Sequence, residues 1–325
     1  MTNLGRVSRV RLRDDLSGLE GYHSPQIQVS VRLNTNESPY PPPPGFARAW
    51  ADQLALLDLN RYPDRSSRQL RQGLGARLAQ PAERFFCGNG SNEVIQTLLL
   101  AYGGPGRRAL VFEPSYVLHA HIARLTGTEV VEAERPDGLA IGPEVAARVI
   151  AAERPDVVFL CSPNNPTGVV ETRATVEAAL GAGASLVVVD EAYAEFASWS
   201  ALDLVDDEIP LVVVKTYSKV WALAALRLGF CVGPRWLVED LEKVALPYHL
   251  PASTQLAGTL ALGFVAEMEE RVAAIVAERE RLIRGLSAME GFKVFPSGAN
   301  FVLFRPPGDG HALWQRLLEQ GVLVR

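Results

Sequence analysis

The chain has 325 residues and a net charge of −5, with 48% hydrophobic and 21% charged residues. That length is ample for a large buried core and favours two domains over one. A mildly acidic chain with this balance is typical of a soluble globular protein, and we expect neither a nucleic-acid partner nor a membrane partner.

The sequence shows no targeting or membrane signal. Its first residues are polar, without the apolar core of a signal peptide, and no run of eighteen apolar residues occurs. The cysteines, Cys87, Cys161 and Cys231, are far apart and odd in number. We therefore expect a reducing cytoplasm, no disulfide framework and no metal site. His119 and His121 would point to different faces of a helix, and we interpret them as surface or packing residues.

The composition of residues 1–45 predicts an irregular N-terminal arm. Arg13, Asp14 and Asp15 are typical of a loop, and the prolines at 39 and 41–44 favour a stiff, extended segment. Such an arm can be a simple spacer, or it can cover a pocket or reach a partner subunit. The sequence leaves both alternatives open.

From residue 85 onward, apolar runs alternate with helical patterns. Because continuous Val, Ile and Leu runs indicate strands buried on both faces, this alternation predicts a largely parallel sheet covered by helices on both sides. Ligands of such sheets bind at the carboxyl ends of the strands. The predicted strands are Phe85–Cys87, Ala109–Phe112, Glu129–Val131, Val157–Cys161, Leu186–Val189, Leu211–Val214 and Leu228–Val232. The predicted helices include Asn92–Ala101, Val117–Leu125, Pro143–Ala152 and Arg173–Ala182.

The final third of the chain changes character. Apolar residues recur at helical spacing from Pro251 to Gly291, which predicts one helix roughly 50 Å long with a possible kink at Gly263. We expect this helix to join the sheet domain to a smaller C-terminal one. The predicted domains are an arm with part of the small domain at 1–45, a large domain at 46–250, and the joining helix with the small domain at 251–325. The predicted elements of the small domain are strands Lys293–Phe295 and Asn300–Phe304, helix Ala312–Gln320 and strand Val322–Val324.

The segment from Gly88 to Glu93 follows the first predicted strand and opens a helix. Glycine at 88 and Gly90 let the backbone approach an anion, and the free N–H groups at Ser91 and Asn92 can bind phosphate. A dinucleotide-binding fingerprint would need glycine at position 93, so an NAD-dependent oxidoreductase is disfavoured. The alternative is an ordinary glycine turn with an Asn or Ser helix cap.

The next strands also end in residues that suit a planar cofactor. Tyr116 could stack on a ring, and Asn165, in a proline-rich turn, could donate a hydrogen bond to a ring oxygen. Asp190 could keep a pyridine nitrogen protonated, and Tyr193 could hydrogen-bond the phenolic oxygen of the same ring. Taken singly, Tyr116 is equally a packing residue and Asp190 equally a helix cap.

The residues after strand Leu211–Val214 add a reactive amine. Partial desolvation just past a buried strand would lower the pKa of Lys219 and make it a nucleophile. Thr216, Ser218 and Arg227 supply hydroxyls and a planar cation, which suit a phosphate. A lone lysine at such a position is usually a solvated surface charge. Here it accompanies a phosphate site and a run of strand-end polar groups, and that combination favours pyridoxal phosphate (PLP) as the cofactor.

These motifs resemble those of the fold-type I PLP-dependent aminotransferases, and within them the histidinol-phosphate aminotransferase family. The resemblance covers nearly the whole chain. It implies an α/β fold: a three-layer large domain with a mostly parallel seven-stranded sheet, and a smaller α+β domain. The residues that carry it are Leu33–Tyr40, Arg61–Asp64, Ser162–Gly168 (SPNNPTG), Val189–Tyr193, and Thr216–Lys219 with Arg227.

The resemblance also implies roles at the cofactor. Lys219 would bind PLP covalently and move a proton between the substrate α-carbon and the cofactor C4′. Asp190 would pair with the pyridinium nitrogen, Asn165 and Tyr193 would contact the ring O3′, and Tyr116 would stack on the ring. The residues that would hold the phosphate are Ser91, Asn92, Thr216, Ser218 and Arg227.

Other matching positions concern the partner subunit and the substrate. Tyr62 would reach the phosphate of the neighbouring subunit's cofactor, which implies an active homodimer, and Tyr22, Asn36 and Arg325 would meet the substrate. Asn92 stands where the family more often has Asp, a change that a backbone contact tolerates. The family continues past Arg325 with a strand bearing a second substrate-binding arginine and a final helix. We therefore expect a small domain without these parts, either because the sequence is partial or because substrate anchoring is altered.

The activity implied is a ping-pong transamination. L-Histidinol phosphate and 2-oxoglutarate would be interconverted with imidazole-acetol phosphate and glutamate, a step of histidine biosynthesis. An aromatic amino-acid aminotransferase and a threonine-phosphate decarboxylase share most of these motifs and remain alternatives. A non-catalytic homologue that binds a metabolite or a partner is a further alternative, disfavoured because Lys219 and Asp190 are both present.

Overall fold

The computed structural model describes residues 10–136, 140–184 and 186–325. Most of its longer strands contain the apolar runs of the sequence, because consecutive β-branched, aliphatic and aromatic residues fit a pleated surface that is covered on both faces. The strands are β1 (Val31–Arg32), β2 (Phe85–Asn89), β3 (Arg108–Glu113), β4 (Glu129–Glu134), β5 (Val157–Cys161), β6 (Leu186–Asp190), β7 (Leu211–Thr216), β8 (Leu228–Val232), β9 (Lys293–Val294), β10 (Phe304–Arg305) and β11 (Val322–Leu323).

The helices lie between and after these strands. The helices are α1 (Pro44–Leu54), α2 (Arg68–Leu78), α3 (Ser91–Tyr102), α4 (Leu118–Leu125), α5 (Pro143–Glu153), α6 (Arg173–Gly181), α7 (Arg235–Val244), α8 (Ala252–Ala261), α9 (Val265–Ser287) and α10 (Gly310–Glu319). In the described ranges no helix has the length and apolar character needed to cross a bilayer. No group of three or more His, Cys, Asp or Glu side chains in those ranges is placed to hold a metal ion.

Seven strands form the central sheet, in the order β2-β8-β7-β6-β5-β3-β4. Strand β8 is antiparallel to both of its neighbours, and the other pairs are parallel. The predicted largely parallel, seven-stranded α/β sheet is therefore confirmed. Parallel pairing brings the carboxyl ends of β5, β6 and β7 to one edge of the sheet, where the strand-end motifs follow.

Both faces of the sheet are covered by helices. Along β6, Val187 and Val189 belong to one apolar cluster and Val188 to the other, since successive strand residues point to opposite faces. The first cluster includes buried residues of α2, α5, α6 and α8, and the second includes buried residues of α3, α4 and α7. Helix, sheet and helix therefore form three layers, as the fold prediction states.

The predicted long helix from residue 251 is interrupted. A short 3₁₀ turn, Leu262–Phe264, separates α8 from α9 and contains Gly263, where the kink was expected. The break lets the ring of Phe264 meet Phe46 of α1 edge-on, with centroids 6.0 Å apart. Helix α9 alone spans roughly 34 Å at 1.5 Å per residue. The predicted kink at Gly263 is confirmed, and the 50 Å length expected for an unbroken helix is not reached.

The largest differences between the predicted and the observed secondary structure concern strands of two residues. The predicted strand Asn300–Phe304 is wrong, because β10 begins at Phe304 and pairs antiparallel with β9. Pro44 was expected to be extended and instead starts α1, where its missing N–H is not needed. Strand β1 pairs parallel with β11, so residues from the two ends of the chain meet, a pairing that the sequence did not predict.

Candidate active site

A cavity of about 380 Å³ opens where β5, β6 and β7 end. Its walls combine residues that follow these strands with residues from the two ends of the chain. The predicted site residues that line it are Tyr22, Asn36, Ser91, Asn92, Tyr116, Asn165, Asp190, Tyr193, Thr216, Ser218, Lys219, Arg227 and Arg325. The structure thus brings together residues spread over three hundred positions of sequence.

The β1–β11 pair explains how the two chain ends reach the cavity. The strands run parallel, with Val31 opposite Val322, and the N–H of Leu33 donates to the carbonyl of Leu323 at 2.8 Å. Parallel strands deliver the residues that follow them to the same side. Residues 35–37 and Arg325 therefore arrive together at the cavity wall.

At one end of the cavity, two glycines allow neighbouring segments to pack closely against the start of α3. Helix α3 begins at Ser91, after Gly90 with a φ of 81°. A Cβ on Gly90 would collide with the guanidinium of Arg227, and a Cβ on Gly229 would collide with the backbone of Ser91. Both positions therefore require glycine. They bring Arg227 against the start of α3, where free N–H groups and the positive end of the helix dipole favour an anion.

Hydroxyl groups complete this end of the cavity. Thr216 Oγ1 donates to Ser218 Oγ at 3.0 Å, and the N–H of Ser218 donates to Thr216 Oγ1 at 3.1 Å. Arg227 Nη1 donates to Ser218 Oγ at 3.5 Å. A planar cation, two hydroxyls and a helix start directed at one point form a donor set that suits a phosphate.

Asp190 lies deep in the cavity wall and is 2% exposed. Its Oδ2 is 2.8 Å from Nε2 of His119, and its Oδ1 accepts from the N–H of Ala192 at 3.1 Å. Because a carboxylate only accepts hydrogen bonds, His119 carries its proton on Nε2. The ring of His119 in turn stacks on Phe159, with centroids 4.7 Å apart. Asp190 is held in one orientation by these contacts.

His119 is a site residue that the sequence analysis missed. It was interpreted as a surface or packing residue; it does pack, but it is fully buried and its contact with Asp190 is polar. The available signal was its phase on α4, because His119 shares the buried face with Ile122 and Ala123. A histidine on an apolar helix face needs a buried hydrogen-bond partner, and only the fold shows that this partner is 71 residues away.

Tyr193 joins three parts of the chain. Its hydroxyl accepts from Nδ2 of Asn36 at 3.2 Å and lies 3.4 Å from Nδ2 of Asn165. Burial raises the pKa of Tyr193 above its ordinary value, so the phenol keeps its proton at neutral pH. That proton is available for a hydrogen bond to an oxygen atom in the cavity.

Lys219 presents its amine inside the same cavity. Its Nζ donates to the carbonyl of Thr35 at 2.8 Å and lies 5.6 Å from the ring centroid of Tyr193. The pKa of Lys219 falls from 10.5 to about 8, mainly because of desolvation; Glu37 opposes the shift, and Arg227 and Arg325 add to it. A substantial fraction of the amine is therefore neutral near physiological pH, as a nucleophile requires.

This lowered pKa predicts a pH-dependent stability of the cofactor-free protein. Below pH 8 the folded state holds a desolvated ammonium that is better solvated after unfolding, a cost that disappears as the pH rises from 8 to 10.5. We expect Lys219→Met to be more stable than wild type at pH 7 by about 2 kcal/mol, with the difference lost above pH 10.5. Urea unfolding at both pH values measures it. Equal stabilities at pH 7 would contradict the lowered pKa.

Lys215, four residues earlier, is a useful contrast. Its Nζ lies 3.0 Å from Glu191 and 3.1 Å from Glu195, and these carboxylates raise the pKa of Lys215 above its ordinary value. Lys215 therefore stays charged and serves as the centre of a buried ion-pair cluster. Of the two lysines on this segment, Lys219 has the properties of a reactive amine.

Of the two remaining predicted aromatic site residues, one lies in the cavity and the other on the surface. Tyr116 lines the cavity, and its hydroxyl donates to Asn92 Oδ1 at 3.2 Å. Tyr62 lies outside the cavity and is 81% exposed. Its ring stacks on Tyr248, with centroids 4.5 Å apart. An exposed stacked pair of this kind is available to a second molecule.

Comparison with known proteins agrees with this geometry. The model of the family "Aminotransferase class I and II" matches residues 29–325. The chain is 46% identical to the histidinol-phosphate aminotransferase of Frankia casuarinae, over 97% of the chain and 83% of that protein. It is also 46% identical to that of Thermobifida fusca, over 98% of the chain and 89% of that protein. The chain belongs to the class I and II aminotransferases, in the histidinol-phosphate aminotransferase family.

Solved structures show that this aminotransferase has the fold of its family. The histidinol-phosphate aminotransferase of Sinorhizobium meliloti, solved in complex with pyridoxal-5′-phosphate, matches with a TM-score of 0.88 and 21% identity, over 99% of the chain and 90% of that structure. The enzyme of Clostridium acetobutylicum matches with a TM-score of 0.82 and 23% identity, over 91% of the chain and 89% of that structure. At these identities the likeness shows the fold.

PLP is the cofactor that the aminotransferase family implies, and the residues present fit it. The cavity, about 380 Å³, is within the range of roughly 300–1,000 Å³ typical of small-molecule sites. It holds an anion cradle around Arg227, a buried carboxylate at Asp190 and an amine of lowered pKa at Lys219. These three groups match the phosphate, the ring nitrogen and the aldehyde of PLP.

Proposed function

We propose that this aminotransferase catalyses PLP-dependent transamination between L-histidinol phosphate and 2-oxoglutarate, giving imidazole-acetol phosphate and glutamate. The step belongs to histidine biosynthesis, and we place it in the cytoplasm. The observation that carries the proposal is the single cavity in which Lys219, Asp190 and the Arg227 cradle meet, in a chain 46% identical to named histidinol-phosphate aminotransferases.

The cofactor-binding roles follow from the contacts. Arg227, Ser218 and Thr216 bind the phosphate together with Ser91 and Asn92 at the start of α3. Tyr116 stacks on the ring from the cavity wall. These contacts hold the reactive end of the cofactor next to Lys219.

The residues at the other side of the ring tune its chemistry. Asp190, oriented by His119, accepts a hydrogen bond from the N–H of the ring and so keeps the ring nitrogen protonated, and Tyr193 and Asn165 donate hydrogen bonds to O3′. When bound, PLP supplies an electron sink for the charge that develops on the substrate α-carbon. The negative charge of Asp190 keeps that sink effective.

Lys219 performs two tasks in this proposal. Its amine would hold the cofactor aldehyde in the absence of substrate. When free, the same amine would act as the acid–base that moves the proton between the substrate α-carbon and the cofactor C4′. A pKa of about 8 suits both directions of transfer near neutral pH.

The substrate-binding residues lie at the mouth of the cavity. Arg325 is a cation that can pair with the phosphate of histidinol phosphate. Tyr22 and Asn36 face the same space, and Asn36 also keeps Tyr193 in place. The β1–β11 pair supports this role for Asn36 and Arg325, because it brings the residues after both strands to the same cavity wall.

The proposal includes a homodimer. Tyr62, exposed and stacked on Tyr248, would reach the cofactor phosphate of the partner subunit. Leu56, Leu59 and Leu246 are 74%, 83% and 76% exposed, which supports burial of this surface in an assembly. The molecular mass in solution tests the dimer directly.

A half-reaction screen tests the proposed activity. PLP-loaded protein is mixed separately with histidinol phosphate, phenylalanine and threonine phosphate, and the loss of the absorbance of lysine-bound PLP is followed. We expect a fast change with histidinol phosphate, because Arg325 provides a partner for its phosphate. The converted protein should then recover its absorbance when 2-oxoglutarate is added.

Each alternative has its own outcome in this screen. A fast change with phenylalanine and none with histidinol phosphate would favour an aromatic amino-acid aminotransferase. Release of carbon dioxide from threonine phosphate would favour the decarboxylase. A protein that binds PLP and responds to no amine would be a non-catalytic binder.

A further inference from the structure

Glu37 has no role in the transamination chemistry described above, yet it lines the cavity. Asp190 is the other acidic residue among the described cavity-lining residues, and its carboxylate is occupied by His119 and Ala192. Glu37, by contrast, keeps 40% of its side chain exposed. It is therefore the acidic group of this wall that is open to a ligand.

The position of Glu37 is fixed by its neighbours. Asn36 has a φ of 53°, donates from its side chain to Tyr193, and accepts at its carbonyl from Nδ2 of Asn300 at 3.1 Å. On the outer side, Nη2 of Arg32 lies 2.8 Å from Oε2 of Glu37. The pinned backbone thus keeps the carboxylate at the cavity wall, where its Oε2 pairs with Arg32 and its other oxygen has no hydrogen-bond partner in the described part of the chain.

The wall of the cavity therefore carries opposite charges. Arg325 provides a cation and Glu37 an anion, and both act electrostatically on Lys219. A ligand complementary to this arrangement has an anion for Arg325, an amine at Lys219 and a hydrogen-bond donor or basic group for Glu37. Histidinol phosphate has this layout, with its phosphate on one branch of the α-carbon and its imidazole on the other.

We propose that Glu37 is a specificity-determining residue that accepts a hydrogen bond from the imidazole N–H of the amino donor. The proposal rests on the proposed function and adds to it the group that recognises the ring. A hydrogen bond to a charged acceptor contributes about 1.5–3 kcal/mol, which corresponds to roughly 10- to 150-fold in affinity. The bond would act mainly on binding, because the ring is remote from the proton that Lys219 moves.

The same carboxylate disfavours the alternative substrates. The phenyl ring of phenylalanine would cover Glu37 without offering it a hydrogen bond, and desolvating an unpaired carboxylate is costly. Threonine phosphate carries two anionic groups, and one of them would meet the negative charge of Glu37. Glutamate has no imidazole, so the second half-reaction does not use this contact.

The experiment compares Glu37→Ala with the matched control Arg32→Gln. The control removes the ion pair and leaves the carboxylate, since Arg32 is a half-exposed residue of β1 outside the cavity lining. For each protein we would measure kcat and KM for histidinol phosphate, phenylalanine and glutamate, with circular dichroism and PLP uptake as checks of folding.

In Glu37→Ala the ratio of kcat/KM for histidinol phosphate to that for glutamate should fall about 10- to 100-fold, mostly through KM. The ratio for phenylalanine to glutamate should stay or rise. In Arg32→Gln both ratios should remain within about threefold of wild type. Unchanged kcat/KM ratios in Glu37→Ala would overturn the inference. An equal fall of the histidinol phosphate ratio in Arg32→Gln would also overturn it, because the effect would then come from the ion pair and not from a contact with the ring.

The same data separate this inference from the proposed function. If wild-type protein reacts with histidinol phosphate and Glu37→Ala keeps its selectivity, only the role of Glu37 fails. If wild-type protein does not react with histidinol phosphate, the proposed function fails and the inference fails with it. A selective loss in Glu37→Ala supports both.

Discussion

Lys219→Ala is expected to lower the transamination rate by at least about 10⁴-fold, the upper range for a group that transfers the proton in the transition state. The reason is positional: Lys219 is the amine of the described cavity whose pKa is lowered toward neutrality, to about 8. No other side chain lining the cavity combines a nucleophilic amine with reach to Thr35 and the ring of Tyr193. The fold should survive, because the substitution removes a desolvated amine and no core residue.

The matched control is Lys243→Ala. Lys243 lies on α7 with its side chain 71% exposed and paired with Asp240, and it is far from the cavity lining. Turnover by the control should equal that of wild type. The measurement is the steady-state rate, combined with borohydride reduction of PLP-loaded protein and mapping of the labelled peptide. Retained transamination in Lys219→Ala, or a label on Lys215, would remove Lys219 from its proposed role.

The central sheet was largely predictable because one physical requirement shapes it. Strands β5 to β8 are buried along their whole length, and each contains an apolar run of four or five residues. The carboxyl-end rule for parallel sheets then predicts that residues following different strands converge. Lys219, Asp190 and Asn165 do line one cavity. Their convergence is a property of the topology and needs no knowledge of side-chain contacts.

Other parts of the fold depend on contacts that the sequence does not display. Strands β1 and β11 have two residues each and exist because they pair with each other across nearly the whole chain. The break between α8 and α9 depends on the packing of Phe264 against Phe46 of α1. No local pattern encodes either feature, since two-residue strands and a single helical break fall below what periodicity can resolve.

The site shows the same division. Lys219 and Asp190 follow strands and could be recognised from that position, whereas His119 is on a helix and was recognised only by its 2.8 Å contact with Asp190. Glu37 belongs to the Leu33–Tyr40 motif, which resembles that of the family. Its open carboxylate suggests a role in substrate selection only because the fold places Arg325 in the same cavity. Cavity residues at strand ends were thus predictable, and those whose contacts depend on the rest of the fold were not.

Asp190→Asn is expected to lower kcat by about 10²- to 10³-fold, the usual cost of removing one preorganised electrostatic group. Asparagine keeps the size of the side chain and an oxygen that can accept from His119, so the change removes charge and little else. Without the negative charge a protonated ring nitrogen would no longer be stabilised, so proton removal from Cα by Lys219 would become slower. KM should change little, because the proposed contact of Asp190 is with the ring nitrogen and not with the substrate.

The control is Asp52→Asn on the exposed face of α1, which should behave as wild type. Rapid-mixing half-reactions give the rate of the chemical step, and borohydride trapping reports whether Lys219 still captures PLP. A slow chemical step with intact capture would assign Asp190 to the electronics of the ring. An unchanged rate with lowered stability would instead make Asp190 the structural cap suggested by its contact with the Ala192 N–H, because a cap holds the backbone and leaves the chemistry alone.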